Sequence, residues 1–276
     1  MKKYLASALA IAMLASLSVA ASAAEYSASN ANNWGIEVDG VKDAAYVNDG
    51  FTITVPEVEG TEGGSTGTGW AAWDEDYLYV YVEVNDETVT KAADVTSVYM
   101  NDSIEVYINL SGEEGAIADI NAAQYTIGPS FTEWAGGGLH RENNMADAEF
   151  AYTYTDFGYT MELALPWGAD YSVEEGASIG FVVGINDDAD EDPLTREFHN
   201  FTNANQGSAW STADSTWDNL TMTADEYVEP VVETEPEVVA DAATETVAAP
   251  QTFDAGIVAA VAAVVSAAGY AISKKR

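Results

Sequence analysis

Carboxylates dominate the groups in this chain that are able to do chemistry. The run Asp187-Asp188-Ala189-Asp190-Glu191-Asp192 sets acidic side chains at adjacent and alternate positions, an oxygen-rich spacing that suits a hard divalent cation. No glycine stands at its sixth position and no glutamate at its twelfth, so it is not an EF-hand loop. Two readings remain: a structural calcium site of another geometry drawing on Asp187, Asp188 or Asp190, or an acidic loop facing water. Other chemistries fall away. The chain has no cysteine, which excludes thiolate metal sites, cysteine nucleophiles and disulfides. Two histidines, His140 and His199, are too few for a histidine-rich zinc site. No serine or cysteine nucleophile motif is present, and among 46 acidic residues a pair spaced for glycoside hydrolysis carries no information. The expectation is a protein without catalysis.

A second set of polar groups belongs to strands. From Asn101 to Leu110, aliphatic Ile104, Val106, Ile108 and Leu110 alternate with Ser103, Glu105, Tyr107 and Asn109. From Trp73 to Val84, Leu78, Val80, Val82 and Val84 alternate with Tyr77, Tyr79, Tyr81 and Glu83. This period of two predicts strands with one face in a core and the other presenting tyrosines and carboxylates. Glu105 therefore projects away from the core beside Tyr107 and, from a short strand over 122–128, Gln124. Further strands are predicted over 51–55, 70–73, 150–154, 159–165, 178–187 and 218–222. The stretch Glu25 to Asn33 reads as a polar lead, and Gly60 to Gly69 as a surface loop without the Gly-Lys-Ser/Thr ending of a phosphate cradle. Trp73, Trp167 and Trp217 read as core or edge packing. Many short strands with turn signals and no amphipathic helix predict an all-β fold, an antiparallel sandwich of jelly-roll or immunoglobulin-like form.

The ends of the chain read differently. Met1-Lys2-Lys3, an apolar run from Tyr4 to Val19 and then Ala21-Ser22-Ala23 have the parts of a secretory signal, so residues 1–24 are set apart from a body over 25–224. Residues 225–249, rich in Glu, Pro, Val, Thr and Ala, form an extended, disordered linker. Residues 250–276 hold an apolar helical run, Ile257 to Ile272, before Ser273-Lys274-Lys275-Arg276, a membrane anchor with its basic end on the cytoplasmic side. This segment resembles the sorting signals of Gram-positive cell walls: Pro250, Gln251 and Thr252 match the Pro-x-Thr of Leu-Pro-x-Thr-Gly, with Ala249 in place of Leu and Phe253 in place of Gly. The resemblance implies a sortase as partner and Thr252 as the attachment point. Outside the two ends only four of the nine Lys and Arg residues remain, against a net charge of −37 for the whole chain. Such a surface excludes nucleic acid, is repelled by anionic lipid, and fits a secreted body held at the cell surface.

Several motifs then stand in one order: Asp39-Gly40 and Tyr46, Trp73-Asp74-Glu75-Asp76-Tyr77-Leu78-Tyr79-Val80, Asn101-Asp102-Ser103-Ile104-Glu105-Val106, Ile179-Gly180-Phe181 through Asn186-Asp187, and Trp217-Asp218-Asn219-Leu220. Over about residues 34–223 they resemble the family 9 carbohydrate-binding modules, within the wider DOMON-like superfamily. That resemblance implies a β-sandwich, often with structural calcium, that holds polysaccharide or oligosaccharide of glucan or xylan type between two aromatic rings. Position by position, it puts the first ring on Tyr99, six residues before the ligand-facing Glu105, and the second on Trp210, nine before Asn219, with Gln124 as a further contact. The family arginine after the Gln-aromatic pair is Thr126 here, and a family glutamine is Gly184, which implies a floor with fewer hydrogen-bonding groups. Two alternatives accompany this reading. One is a structural surface or adhesion protein that has lost the sugar; the other is a haem-binding domain of DOMON type, for which Met100 with His140 or His199 is the available pair.

Overall fold

The computed structural model describes residues 23–58, 63–90, 95–129, 148–169, 171–189, 196–203 and 208–230. The signal segment up to residue 22, His140, Asp190, most of the linker and all of 250–276 with Thr252 lie outside the described residues. Of the chain's two units, Met1–Glu229 and Pro230–Arg276, the strands among the described residues lie in the first. In order they are β1 Glu25–Asn30, β2 Phe51–Ile53, β3 Val55–Pro56, β4 Thr66–Trp73, β5 Tyr77–Asn85, β6 Ser103–Asn109, β7 Gly115–Ala116, β8 Ala122–Ile127, β9 Glu149–Thr155, β10 Gly158–Pro166, β11 Ser178–Asp187, β12 Phe198–Phe201, β13 Thr212–Ala213 and β14 Asp218–Glu226. Among the described residues no helix is long and apolar enough to cross a membrane; short 3-10 turns, Val95–Met100 and Ile117–Asp119, are the helical elements described.

Two layers enclose the core. One runs β9-β10-β5-β4 with β2 on β4; the other runs β8-β6-β11, with β12 and β14 each pairing part of β11. Leu78, Val80, Val82 and Val84 of β5 and Met161, Leu163 and Leu165 of β10 meet Ile104, Val106 and Ile108 of β6 and Phe181, Val183 and Ile185 of β11. Each such side chain contributes about 1.5–3 kcal/mol by leaving water. The alternation in the sequence thus appears as the inner faces of a sandwich, and Trp73, Trp167 and Trp217 are buried.

Two expectations are corrected. Gly60 to Gly69, read as a surface loop, ends inside β4, where Thr66 to Gly69 pair with β5 and Gly67 and Gly69 lie against Ile185 and Phe51. Glu25 to Asn33, read as a polar lead, contains β1, which lies between β14 and β4 and runs parallel to both, so the sheet is not purely antiparallel. The strand escapes a periodicity test because its buried residues are small: Ala28 and Ser29 are fully enclosed. Ser29 Oγ donates to the Ala45 carbonyl at 2.6 Å, which removes the cost of burying its hydroxyl.

The tyrosines on the outer face of β5 have partners as well. Ala31, Trp34, Ile36, Val38, Ala45 and Tyr46 cover Tyr79 and Tyr81 in a second apolar layer, and Lys42 Nζ sits 3.2 Å above the Trp70 ring. Glu162 of β10 latches this cover in place. Its carboxylate accepts the Tyr46 hydroxyl at 3.0 Å and the Asp39 and Gly40 N–H groups at 3.1 and 3.2 Å. Gly40 makes the approach possible: its φ is +79°, and a Cβ there would meet the Tyr152 carbonyl carbon at 2.9 Å. Burial pushes the Glu162 carboxyl up to about 7 in spite of these donors.

Candidate functional site

Because Ile104, Val106 and Ile108 face inward, Glu105 and Tyr107 fall on the outer face of β6. Register then decides their neighbours: Thr126 and Gly184 stand opposite Glu105, and Gln124 opposite Tyr107. Glu105 is only 3 % exposed, and its oxygens are engaged. Tyr107 Oη donates to Oε2 at 2.5 Å, Gln124 Nε2 to Oε1 at 3.1 Å and Thr126 Oγ1 to Oε1 at 3.4 Å. His199 of β12 completes the ring, with Nε2 3.2 Å from Glu105 Oε2, near enough for charge to act though off the line of a hydrogen bond.

The imidazole fits because Gly184 has no side chain. A Cβ there would stand 2.7 Å from His199 Nε2 and 2.9 Å from the Phe201 ring. On its other side, His199 Nδ1 lies 3.3 Å from Glu57 Oε2, which also takes Arg196 Nη2 at 3.0 Å. Arg196 Nη1 in turn donates to Asn186 Oδ1 at 2.6 Å. Burial pushes the Glu105 carboxyl up, but the contact and charge of His199, with help from the Tyr107 hydroxyl and Arg196, outweigh it and hold the group below the usual carboxylate range. For Glu57 the His199 contact is the leading cause of a lowered value. At the two positions where the family's arginine and glutamine are replaced, Thr126 Oγ1 reaches Glu105 and the space over Gly184 is taken by His199 and Phe201.

Two rings stand clear of this floor. Tyr99, in the 3-10 turn that feeds β6, is 45 % exposed, and Trp210 is 64 % exposed. Neither ring stacks or hydrogen-bonds among the described residues. Ala209 and Ala213, on either side of Trp210, pack with Tyr107, Phe201 and Trp217, so the Trp210 loop rests on the Tyr107 end of the face. The Tyr99 turn joins at Ser103, the opposite end, with Glu105 between. A sugar ring presents apolar faces to such aromatics and hydroxyls to polar groups beside them.

The acidic cluster is placed less as foreseen. The carboxylates that converge are those of Asp86, Asp102 and Asp187, with one oxygen from each lying within 4.8 Å of the others. Asp188 contributes its backbone N–H to Asp102 Oδ1 at 2.9 Å. All three aspartates are buried, and Asp86 Oδ2 has no hydrogen-bond donor. Burial, against the Asp188 and Thr90 N–H groups and with the charges of Asp86 and Asp187, pushes Asp102 up to about 8. Oxygens so spaced fit on the sphere of a cation bound at 2.3–2.6 Å. The set stands where β5, β6 and β11 end or begin, and so spans both layers. Sequence reasoning missed Asp86, Asp102, Glu57 and Arg196 as site residues and named His199 only for the haem alternative, not beside Glu105; the signal for the first two is an aspartate directly after one signature strand and directly before the other.

Residues 38–225 match the sequence profile of the family described as carbohydrate family 9 binding domain-like. The chain belongs to that family. Its fold agrees with a carbohydrate binding module family 9 from Caldicellulosiruptor kristjanssonii solved with glucose, at a TM-score of 0.57 and 18% identity over 75% of this chain and 100% of that one. The same module solved with cellotriose gives 0.56 and 18% over 76% and 98%. Among curated relatives, Exoglucanase XynX of Acetivibrio thermocellus is 31% identical over 128 residues, 46% of this chain and 11% of that protein. Endo-1,4-beta-xylanase A of Thermoanaerobacterium saccharolyticum is 30% identical over 128 residues, 46% of this chain and 10% of that protein. The chain therefore spans only about a tenth of the length of these two relatives.

Proposed function

We propose that this chain is a non-catalytic, cell-surface glycan-binding protein that holds a glucan or xylan chain between Tyr99 and Trp210 over the Glu105 floor. The observation that carries the reading is a pair of exposed, unstacked rings, one in the turn that feeds β6 and one in the loop packed beside Tyr107, near the strand that bears Glu105. The fold shared with modules solved with glucose and cellotriose supports it, as do relatives named as an exoglucanase and a xylanase. Calcium belongs to the proposal: the Asp86, Asp102 and Asp187 donor set, with its unmatched Asp86 Oδ2, suits a structural calcium ion that ties the two layers of a chain without disulfides. So does location, secretion followed by membrane or sortase-dependent wall attachment through 250–276 and Thr252, on the sequence alone. Titration with cello- and xylo-oligosaccharides, together with a glycan array, tests the core of this. No binding, or binding unaltered in Trp210→Ala and Tyr99→Ala, sinks it. A second reading, a structural surface or adhesion protein that keeps the sandwich without the ligand, draws on the burial of Glu105 and Gln124, which spend their hydrogen bonds on each other; an empty array favours it.

A further inference from the structure

Asp86 and Asp102 do more than face each other. They are the two feet of the segment that carries Tyr99. The chain leaves β5 at Asp86 and re-enters β6 directly after Asp102. Asp102 closes this excursion: one oxygen accepts the Thr90 N–H and the other the Asp188 N–H. Thr90 Oγ1 donates to the Asp188 carbonyl at 2.9 Å, so the start of the loop is sewn to the end of β11. On the returning limb the 3-10 turn is held by Asn101 N–H and Ser103 Oγ, which donate to the Val98 carbonyl at 3.0 and 3.1 Å. Val98 is anchored in the core while the next residue, Tyr99, points its ring into solvent. The described residues on either side of Tyr99 are thus tied, through Thr90 and Asp102, to a base of three buried carboxylates.

Such a base is unstable by itself. Three carboxyl groups within 4.8 Å cannot ionise together without strong repulsion where water is excluded, and Asp86 Oδ2, on a residue 9 % exposed, is buried with no donor to answer it. A cation removes the repulsion and satisfies that oxygen in one step. We propose that a divalent cation bound by Asp86, Asp102 and Asp187 fixes the Tyr99 loop, so that cation occupancy sets the affinity of this face for glycan. The proposal rests on the glycan-binding reading above and adds its regulation. Trp210 lies outside the control: its loop is packed through Ala209 and Ala213 onto Tyr107 and Phe201. The cation-free protein accordingly keeps one fixed ring and loses the other. Coupling of this kind is reciprocal, so bound glycan tightens cation binding by the same factor.

The test uses the whole chain, with cellotriose and xylotriose as probes, titrated calorimetrically in excess calcium chloride and again in excess EGTA, with a melting curve in each buffer. The expected result is a lower melting temperature in EGTA and a Kd for the bound trisaccharide weaker by on the order of tenfold. Asp86→Asn should show the weaker affinity in both buffers. Tyr99→Ala should keep the calcium-dependent melting shift but lose the calcium dependence of affinity, which a purely structural ion would not produce. A melting shift with an unchanged Kd overturns the coupling and leaves the cation site standing. No melting shift overturns the site and the coupling together, and calcium-dependent affinity that persists in Tyr99→Ala overturns the route through this loop. Failure of both sugars to bind in calcium overturns the glycan reading and the coupling with it. Should Asp86→Asn not fold, the chelation and Tyr99→Ala arms still decide.

Discussion

Raising the pH through about 7 is expected to loosen the cover over β5, and the group responsible is Glu162. Its carboxyl is fully enclosed beneath residues 39–46 and pushed up from 4.5 to about 7, burial outweighing the Asp39 and Gly40 N–H groups and the Tyr46 hydroxyl. An acid whose value is higher in the folded than in the unfolded chain is stabilising in its protonated form. That contribution is complete below about 4.5 and disappears as the pH rises through about 7. At 1.36 kcal/mol per pH unit the loss is roughly 3 kcal/mol, a large share of the stability of an ordinary domain. Many other carboxylates titrate in the same range, so the measurement is a difference. Urea unfolding of wild type and Glu162→Gln at a series of pH values cancels what the two proteins share. Wild type should lose roughly 3 kcal/mol relative to the variant across that window, and Tyr46→Phe, which removes one donor, should move the upper end of the window to higher pH. A flat difference, or a wild type that gains with rising pH, refutes the reasoning: it would mean that three donors stabilise the carboxylate more than burial penalises it.

Trp210→Ala and Tyr99→Ala should each weaken glycan binding by roughly tenfold or more while changing unfolding free energy by no more than about 0.5 kcal/mol, because both rings are exposed; calorimetric titration and denaturation curves read the two effects separately. Gly184→Ala drives a Cβ into His199 and Phe201 and should cost about 1–3 kcal/mol, with a displaced His199 imidazole signal by NMR; a wild-type spectrum would show that the ring does not depend on the space over Gly184. Calcium at about 100 times its Kd should stabilise the chain by about 2.7 kcal/mol, or roughly 5–10 °C in melting temperature for a body of this size, and a scan unchanged by chelator would remove calcium from the proposal.

The core of the sandwich was readable in the sequence because large aliphatic residues alternate through β5, β6, β10 and β11, and no other arrangement buries Leu78 to Val84 and Ile104 to Ile108 on one side. β1 was not, since Ala28 and Ser29 leave no apolar period and their burial depends on a parallel partner almost 200 residues away, Met222 against Ala28. The outer faces were half legible. Alternation put Glu105 and Tyr107 together, but only the register between β6, β8, β11 and β12 brings Thr126, Gly184 and His199 to them. Asp187 was singled out for the run of acids around it, whereas its actual neighbours come from positions some 85 and 100 residues earlier in the chain, a proximity that local spacing does not encode.

The position of β14 has a mechanical consequence. Its first residues are hydrogen-bonded on one side to β1 and on the other to β11, and the chain continues from its far end at Glu226. Ladder bonds run roughly across the strand axis, so a pull on the carboxyl side of the body acts along β14 and loads those bonds in shear, all together instead of one after another. A body dragged from that end yields only when the whole ladder slides. The same architecture would peel readily if the force entered across the sheet, so the direction of attachment decides how much tension the fold withstands.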